Sequence, residues 1–462
     1  MANTLQLTDK IAVVLDLGTT KLRAVAALLD ENKKVSQILA TEEVDSKGVK
    51  HGRVENYVEL ARVLKPMLTH LAMRIYNKMK DSIGESFIGT PVEIKKVYIA
   101  LGGKGIQGKA QEEPYRLNDQ YVDLPVVQKI QENIRQRVQN DKEVILDLVN
   151  QGYNVDDDIR MEAVGSRANN VIGRFCVVTA ERGIQEDITK TLDTIGVELA
   201  GFTLLPFALA EVMLSDADKE VGTTLIDLGA SSTSIAIYRD NVRRHVRVLH
   251  LGSKLITQDI KKVCGLTAED AEKIKKKYGY AYPGGVEEDN TLRIPNSDVR
   301  IVVSELAAII EARLEELMAY LLGEMNKVQA LSSTRKIILT GNGARLKKVC
   351  EKFTNEFGLD TEVGKIKDSY YEKYSPYFAT MDGVNGNMSK AARYMNAFAA
   401  CLGTLESCDL ESCVLVGKKE AVTATPAPVK KKGLLGGLRD LFTGVTDGVV
   451  GKAEDIIGGK EI

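Results

Sequence analysis

At 462 residues the chain is long enough for two to four folding units of roughly 100–200 residues each. Lys plus Arg number 62 against 64 Asp plus Glu, a formal charge of −2 that gives the whole chain no electrostatic reason to bind nucleic acid. Hydrophobic residues make up 44% and charged residues 27%, which excludes disorder over most of the length.

The first ten residues lack the basic stretch and apolar run of a signal peptide. Residues 11–18 (IAVVLDLG) read as a strand that ends in Asp-Leu-Gly, and Lys21 to Leu29 as its antiparallel return after a tight turn. A further strand is expected at Val97–Leu101. The glycines that follow, Gly103, Gly105 and Gly108, fit GxGxxG, but Lys109 to Pro114 opens no helix, so the dinucleotide-binding reading is set aside. Helical spacing runs from Val126 to Val149, a turn is expected over Gln151–Asp158, and Arg174–Thr179 resumes a buried strand.

The opening motif then returns 211 residues after its first appearance. Thr223–Gly229 (TTLIDLG) is followed by a hydroxyl-rich turn and by Ser234–Tyr238, so a strand–turn–strand is duplicated and two similar α/β halves are expected. Residues 301–328 carry Leu306, Ile309, Ile310, Leu314, Leu317 and Leu321 on one face of a long amphipathic helix. Lys336–Leu339 is a short strand leading into TGNGA and an expected helix over Arg345–Phe357. Past Leu415 comes a small, polar, Pro-containing linker, Gly417–Lys432.

After the linker, Leu434, Leu435, Leu438, Leu441, Phe442 and Val445 line up one apolar helical face beside Lys430, Lys431, Lys432 and Arg439. An apolar face flanked by basic side chains suits anionic lipid. Six glycines within 433–451 each cost about 1 kcal/mol of helix stability, so this tail is expected to fold on lipid rather than in water. No 18-residue apolar run exists to form a spanning helix. Cys176, Cys264, Cys350, Cys401, Cys408 and Cys413 form no CxxC pair and no zinc spacing, which fits reduced thiols.

Chemistry concentrates in the two Asp-Leu-Gly turns. Asp16 and Asp227, each at a strand end, are carboxylates suited to a hydrated magnesium ion. Gly18 and Gly229 let backbone amides approach phosphate oxygens, while Thr19, Thr20, Ser231 and Ser232 add hydroxyls and Lys21 a cation. Either loop alone is also an ordinary hairpin turn. Two of them facing each other would clamp a polyphosphate. In Ile337–Ala344, Gly341 and Gly343 follow a strand and let backbone lie flat against a base or sugar; no Walker A loop occurs.

In order, VVLDLGTTKLRAVAAL, TTLIDLGASSTSIAIY and IILTGNGARLKK resemble the two phosphate motifs and the adenosine motif of the actin-like ATPase superfamily. Within it the resemblance is to the FtsA family of bacterial division proteins, supported by VILDLVNQGYNVDD, FALAEVML and GSKLITQDI over most of residues 10–405. It implies an α/β actin-like fold: two ribonuclease-H-like domains around a nucleotide cleft, with an FtsA-type inserted subdomain and a C-terminal amphipathic helix. The implied division is a first core domain at 1–87 and 167–212, the insert at 88–166, a second core domain at 213–253 and 334–410, and a subdomain at 254–333. A linker at 411–432 and a membrane-targeting tail at 433–462 complete it.

The resemblance also implies ATP and magnesium as cofactors. Asp16, Gly18, Thr19, Thr20, Lys21, Asp227, Gly229, Ala230, Ser231 and Ser232 would meet phosphate and metal. Glu272, Lys275, Gly341, Asn342 and Gly343 would meet adenosine; on spacing alone Glu272 and Lys275 are equally an exposed ion pair. Implied partners are the FtsZ C-terminal peptide, with Arg300 and Arg313 as candidate contacts, further copies of the chain in filaments, anionic inner-membrane lipid, and later division proteins. The implied location is the cytoplasmic face of the inner membrane at the division site. Where relatives often read GGGT this chain has Gly229-Ala230-Ser231-Ser232, and Leu205 stands before Pro206 where many carry an acid. Glu211 follows, but no base is evident, so at most slow ATP hydrolysis is expected. The alternatives carried beside this reading are a PilM-like adaptor and a sugar or acid kinase of the same fold.

Overall fold

The computed structural model describes residues 10–294, 299–379, 388–407 and 410–416. The chain opens with the antiparallel strands β1 (Ile11–Leu17), β2 (Lys21–Leu29) and β3 (Val35–Asp45), then the short hairpin β4 (Val49–Lys50) and β5 (Arg53–Val54). Helix α1 (Tyr57–Ile83) follows, capped by Asn56, whose side chain accepts from the Val58 and Glu59 amides. Next come β6 (Val92–Ile94), β7 (Lys96–Leu101), the long β8 (Gln107–Tyr121), α2 (Leu124–Val138), β9 (Glu143–Val155), β10 (Asp158–Arg160) and β11 (Arg167–Glu181). Helix α3 (Gly183–Thr194), β12 (Glu198–Leu204) and α4 (Leu205–Met213) return the chain to the first half.

The second half begins with α5 (Asp216–Val221) and the antiparallel β13 (Thr223–Leu228), β14 (Thr233–Arg239) and β15 (Val242–Leu249). It continues through α6 (Ser253–Cys264), α7 (Ala268–Tyr278), the hairpin β16 (Thr291–Arg293) and β17 (Arg300–Val302), and α8 (Val303–Lys327). It closes with β18 (Lys336–Thr340), α9 (Val349–Phe357), β19 (Asp360–Val363), α10 (Asp368–Ala379), α11 (Met388–Ser407) and β20 (Val414–Val416).

The duplication expected from the two Asp-Leu-Gly motifs is present as topology. One sheet runs β3-β2-β1-β7-β12 and the other contains β15-β14-β13-β18-β19, in both cases a three-strand antiparallel meander joined to two parallel strands. Period-2 alternation divides the second sheet between two cores. Leu225, Ala236 and Ile338 pack with the first half, α4, α10 and α11, while Ile226, Ile235, Ile237, Ile337 and Leu339 pack under α6 to α9.

The region between β7 and α3 builds a third, smaller core from Leu117, Ile130, Ile134, Tyr153, Val171, Phe175 and Val177. Strand β11 serves two cores along one length. Phe175 and Val177 face the small core, while Cys176, Val178 and Ala180 face the main one. Through the pairing of Arg247 with Gln107, β15 joins β8, so this sheet is continuous with that of the second half.

Three local expectations are corrected. The helical spacing over Val126–Val149 is helix only to Val138. Glu143–Val155 is a strand, because the aliphatic run EVILDLV pairs along β11 from Glu143 to Val155. The turn placed over Gln151–Asp158 narrows to Asp156 and Asp157, both left-handed (φ 45° and 73°), between β9 and β10. The helix expected from Arg345 starts at Val349, because residues 342–345 form a 3-10 turn and Lys348 sits at φ 61°. The glycine run after β7 enters strand β8 rather than a helix, as its sequence indicates. Of the linker placed at 411–432, residues 411–416 belong to the fold, with Val414–Val416 forming β20 against β6; residues 417–432 and the tail residues Lys430, Lys431, Lys432, Leu434, Leu435, Leu438, Arg439, Leu441, Phe442 and Val445 lie outside the described residues.

Candidate functional site: a cavity between two duplicated loops

Each duplicated hairpin ends its first strand with a carboxylate and turns through a glycine. At Gly18 an added Cβ would lie 2.6 Å from the Lys21 carbonyl oxygen, and at Gly229 2.6 Å from that of Ser232. The two turns are therefore closed in the same way, with backbone where a side chain would be. They face one cavity of about 240 Å³ between the halves. Asp16, Gly18, Thr19 and Thr20 line it from one side, and Asp227, Gly229, Ala230, Ser231 and Ser232 from the other. Gly341 and Asn342 come from the turn after β18.

The loops touch. Thr19 Oγ1 lies 2.6 Å from Ser231 Oγ, a hydrogen bond spanning 212 residues of chain. Gly341 adopts φ 82°, and a Cβ there would meet Asp227 Oδ1 at 2.3 Å, so glycine is required both by conformation and by the closeness of that carboxylate.

Electrostatics sharpen the site. Burial raises the Asp16 carboxyl above its usual range, against the pull of Arg23, whose guanidinium lies 3.1 Å away. Burial, reinforced by the charge of Asp16, pushes Asp227 up to about 7. Two carboxylates that resist ionising together call for a cation beyond Arg23. All-oxygen ligands on opposing strand ends suit hydrated magnesium, and the glycine-lined turns with their hydroxyls suit phosphate. The residues present fit both groups.

Not every candidate residue reaches the cavity. Lys21 pairs instead with Asp45 at 2.9 Å and Glu43 at 3.8 Å, because the β2–β3 register sets it opposite Asp45. Lys275 is buried and bonded to Glu272 (2.6 Å), Thr257 Oγ1 (2.7 Å) and the Ser253 carbonyl (3.0 Å). Burial lowers the Lys275 pKa. Burial works the other way on Glu272, but Lys275 and Thr257 outweigh it and hold the carboxyl below its usual range. This pair bridges α6 and α7 and is neither an exposed ion pair nor part of the cavity lining. Gly343 lines a smaller apolar pocket with Leu228, Gly252 and Leu317.

Arg23, Gly52, Leu209 and Arg345 are among the lining residues that were not anticipated. Arg23 was readable, since a tight hairpin closing after Leu17 sets it opposite Asp16. Gly52 was not, because it arrives from a separate hairpin. Leu205 and Leu209 make the wall at Pro206 apolar, while Glu211 is held by Lys219 (3.0 Å) and Lys367 (3.8 Å) away from the lining. Among the described residues, Asp16 and Asp227 are the lining carboxylates.

Farther away, a groove of about 480 Å³ between α6 and α8 is lined by Asp259, Val263, Ala308, Ile309, Ala312, Arg313 and Glu316. Arg313 donates to both oxygens of Asp259 (2.6 and 3.0 Å) and also to Glu316. Arg300 is exposed on β17 and does not line the groove. No helix among the described residues is long and apolar enough to cross a membrane.

Comparison with known proteins adds identity to this geometry. A family model described as cell division protein FtsA matches residues 224–383, and one described as type IV pilus assembly protein PilM matches residues 14–289, more than half of the chain. Cell division protein FtsA of Neisseria meningitidis is 24% identical over 360 residues, covering 76% of this chain and 83% of that protein. FtsA of Porphyromonas gingivalis is 26% identical, covering 73% and 69%, and FtsA of Bacillus subtilis 24% identical, covering 73% and 74%. Among solved structures, a PilM–PilN type IV pilus biogenesis complex superposes with TM-score 0.56 at 17% identity, covering 85% of this chain and 97% of that one.

Proposed function

This chain belongs to the actin-like family of FtsA and PilM proteins, and from that premise we propose that it is an FtsA-type cell-division protein. On this reading it binds ATP with magnesium, assembles head to tail on the inner membrane, and tethers FtsZ there. The observation that carries the reading is the meeting of two glycine-closed Asp-Leu-Gly loops, one from each half, across a single cavity.

In that cavity Asp16 and Asp227 would hold magnesium through water, and the turns at Gly18 and Gly229 would cradle the phosphates. Gly341 and Asn342 would lie against the adenosine. Bound magnesium would neutralise phosphate charge. Leu205 and Leu209 present no group that takes a proton from water, and Glu211 is neutralised by two lysines. Turnover is therefore slow, and occupancy rather than chemistry is the working signal. Lys21 stabilises β2 against β3, and Glu272 with Lys275 braces the helices flanking the second loop.

The basic, apolar-faced tail supports membrane attachment. One such anchor binds weakly, and a filament carrying many copies gains avidity, which couples assembly to attachment. The groove at Arg313, with the exposed Val263 on its rim, is the proposed seat of the FtsZ C-terminal peptide. Arg313→Ala is expected to weaken capture of that peptide, and Arg300→Ala to do so only if the peptide extends to β17. A PilM-like adaptor is the second reading, favoured by the breadth of the PilM match.

Co-sedimentation with anionic vesicles separates the two. The full chain, but not a chain ending at Gly417, should pellet with lipid, and more so with ATP and magnesium. If both remain in the supernatant under every condition, the division-tether reading falls and the adaptor reading takes its place.

A further inference from the structure

The turn after β18 sorts its four residues into two pairs. Gly343 and Ala344 are buried, and a Cβ on Gly343 would stand 2.7 Å from Leu228 Cβ, so this pair seats the turn on β13. Asn342 and Arg345 are exposed and line the cavity. In a 3-10 turn, side chains three positions apart eclipse, so an amide and a guanidinium stand at the cavity one above the other. Among the described residues neither side chain has a hydrogen-bond or ion-pair partner. Arg23, by contrast, is committed to Asp16 at 3.1 Å and Glu43 at 2.9 Å.

The surroundings of this pair supply apolar surface. Val363, 48% exposed, and Gly364 line the same cavity from the end of β19, the strand beside β18. The lining carboxylates, Asp16 and Asp227, belong to the phosphate turns. Glu272, the acid that the family resemblance assigns to adenosine, is held by Lys275 at 2.6 Å and Lys276 at 3.2 Å and stays off the lining.

Such a set of groups discriminates between purines. A guanidinium only donates. Guanine presents two acceptors, O6 and N7, along one edge, and arginine pairs with both at once. Adenine carries amine hydrogens on N6 in place of O6, so along that edge it meets Arg345 donor to donor. Asn342 adapts to either base, because its amide both donates and accepts. Resting on the reading of this cavity as a nucleotide site, we propose that Asn342 and Arg345 form a base reader for 6-oxopurines, so that GTP is a ligand of this site beside ATP. The purine lies with one face toward Val363 and Gly364 and turns O6 and N7 to Arg345, while its triphosphate runs back to the turns at Gly18 and Gly229.

The test uses the full chain with magnesium and compares dissociation constants for ATP, GTP, ITP and inorganic tripolyphosphate. ITP keeps O6 and N7 but lacks the 2-amino group of guanine. GTP and ITP should bind alike, each at least as tightly as ATP. Arg345→Ala should weaken both about tenfold, the usual worth of a bidentate arginine–guanine pair, and leave ATP and tripolyphosphate within about twofold. Arg345→Lys keeps the charge without the planar fork and should lose GTP affinity to the same extent. Both variants should melt as the parent does, since Arg345 holds no partner in the fold. A preference for ATP over both GTP and ITP, or an Arg345→Ala loss shared equally by all four ligands, overturns the base reader and leaves the nucleotide site in place. An Arg345→Lys variant that binds GTP as tightly as the parent overturns it too. If none of the four binds the unaltered chain, the site reading is overturned and the base reader with it.

Discussion

Asp227 is caught between two demands. Its burial, with the charge of Asp16 nearby, raises its pKa from 3.8 to about 7, so the ionised form is disfavoured below neutral pH. A carboxyl with a raised native pKa loses stability for the fold as pH climbs from its unfolded value through its native one, a penalty here between about pH 4 and 7. Asp227→Asn should therefore raise the unfolding midpoint at pH 7.5, by a stability gain on the order of 2–4 kcal/mol, while weakening magnesium–ATP binding. Thermal melts of both proteins with and without nucleotide check this, and a variant no more stable than the parent would contradict the electrostatic account. Gly341→Ala should act in the opposite sense, costing about 2 kcal/mol or more through the left-handed backbone and the nearby carboxylate. Urea unfolding measures that loss.

Among elements, α8 carries the most consequential polar contact. Glu324 is buried and meets His245 at 3.2 Å and Lys327 at 2.6 Å, with Arg247 at 3.9 Å. Arg247 bonds Gln107, which in turn donates to Glu143 at 2.9 Å. A helix of the second half is thus wired through β15 to β8 and β9. The hydrogen bond from His245, aided by Lys327 and Arg247, lowers the Glu324 carboxyl to about 2 despite its burial. A depressed native pKa gives stability that is complete above the unfolded value near 4.5 and is lost as pH falls toward 2. Glu324→Gln should flatten the acid-unfolding profile across that window, with a loss of up to about 3 kcal/mol at neutral pH.

Element identity was legible wherever periodicity was clean, as in the two hairpins and the long helix over 301–328. It failed over 139–149, where EVILDLV fits a helix face as well as a strand, and the choice is made by β11, which pairs with it. The site divides along similar lines. Residues within one loop, such as Asp16 through Thr20, could be grouped by motif. His51 and Gly52 could not, because their partners Thr19 and Ser231 lie 32 and 180 positions from His51 and only the folded chain brings them together.

For the whole molecule, a nucleotide in the proposed site would bridge the two halves across one cavity. Anything that binds only the folded state stabilises it by RT ln(1 + [L]/Kd), about 2.7 kcal/mol at a hundredfold excess over Kd. ATP with magnesium should raise the melting temperature by that logic. Chelating the magnesium should remove most of the shift, since Asp16 and Asp227 would then face phosphate without a cation between them. A shift that survives chelation would show that Arg23 and Arg345 suffice.

The last described strand has a mechanical meaning. β20 is antiparallel to β6, and just before it the Cys413 amide donates to the Ile11 carbonyl at 2.6 Å while the Cys413 carbonyl accepts from Lys95. Cys401 and Cys413 Sγ face the Val14 and Val13 carbonyls of the same β1. Tension applied to the chain beyond Val416 would therefore be shared between β6 and the foot of β1, the strand that carries Asp16. The point where an anchor would pull and the carboxylate that faces the cavity are two ends of one seven-residue rod.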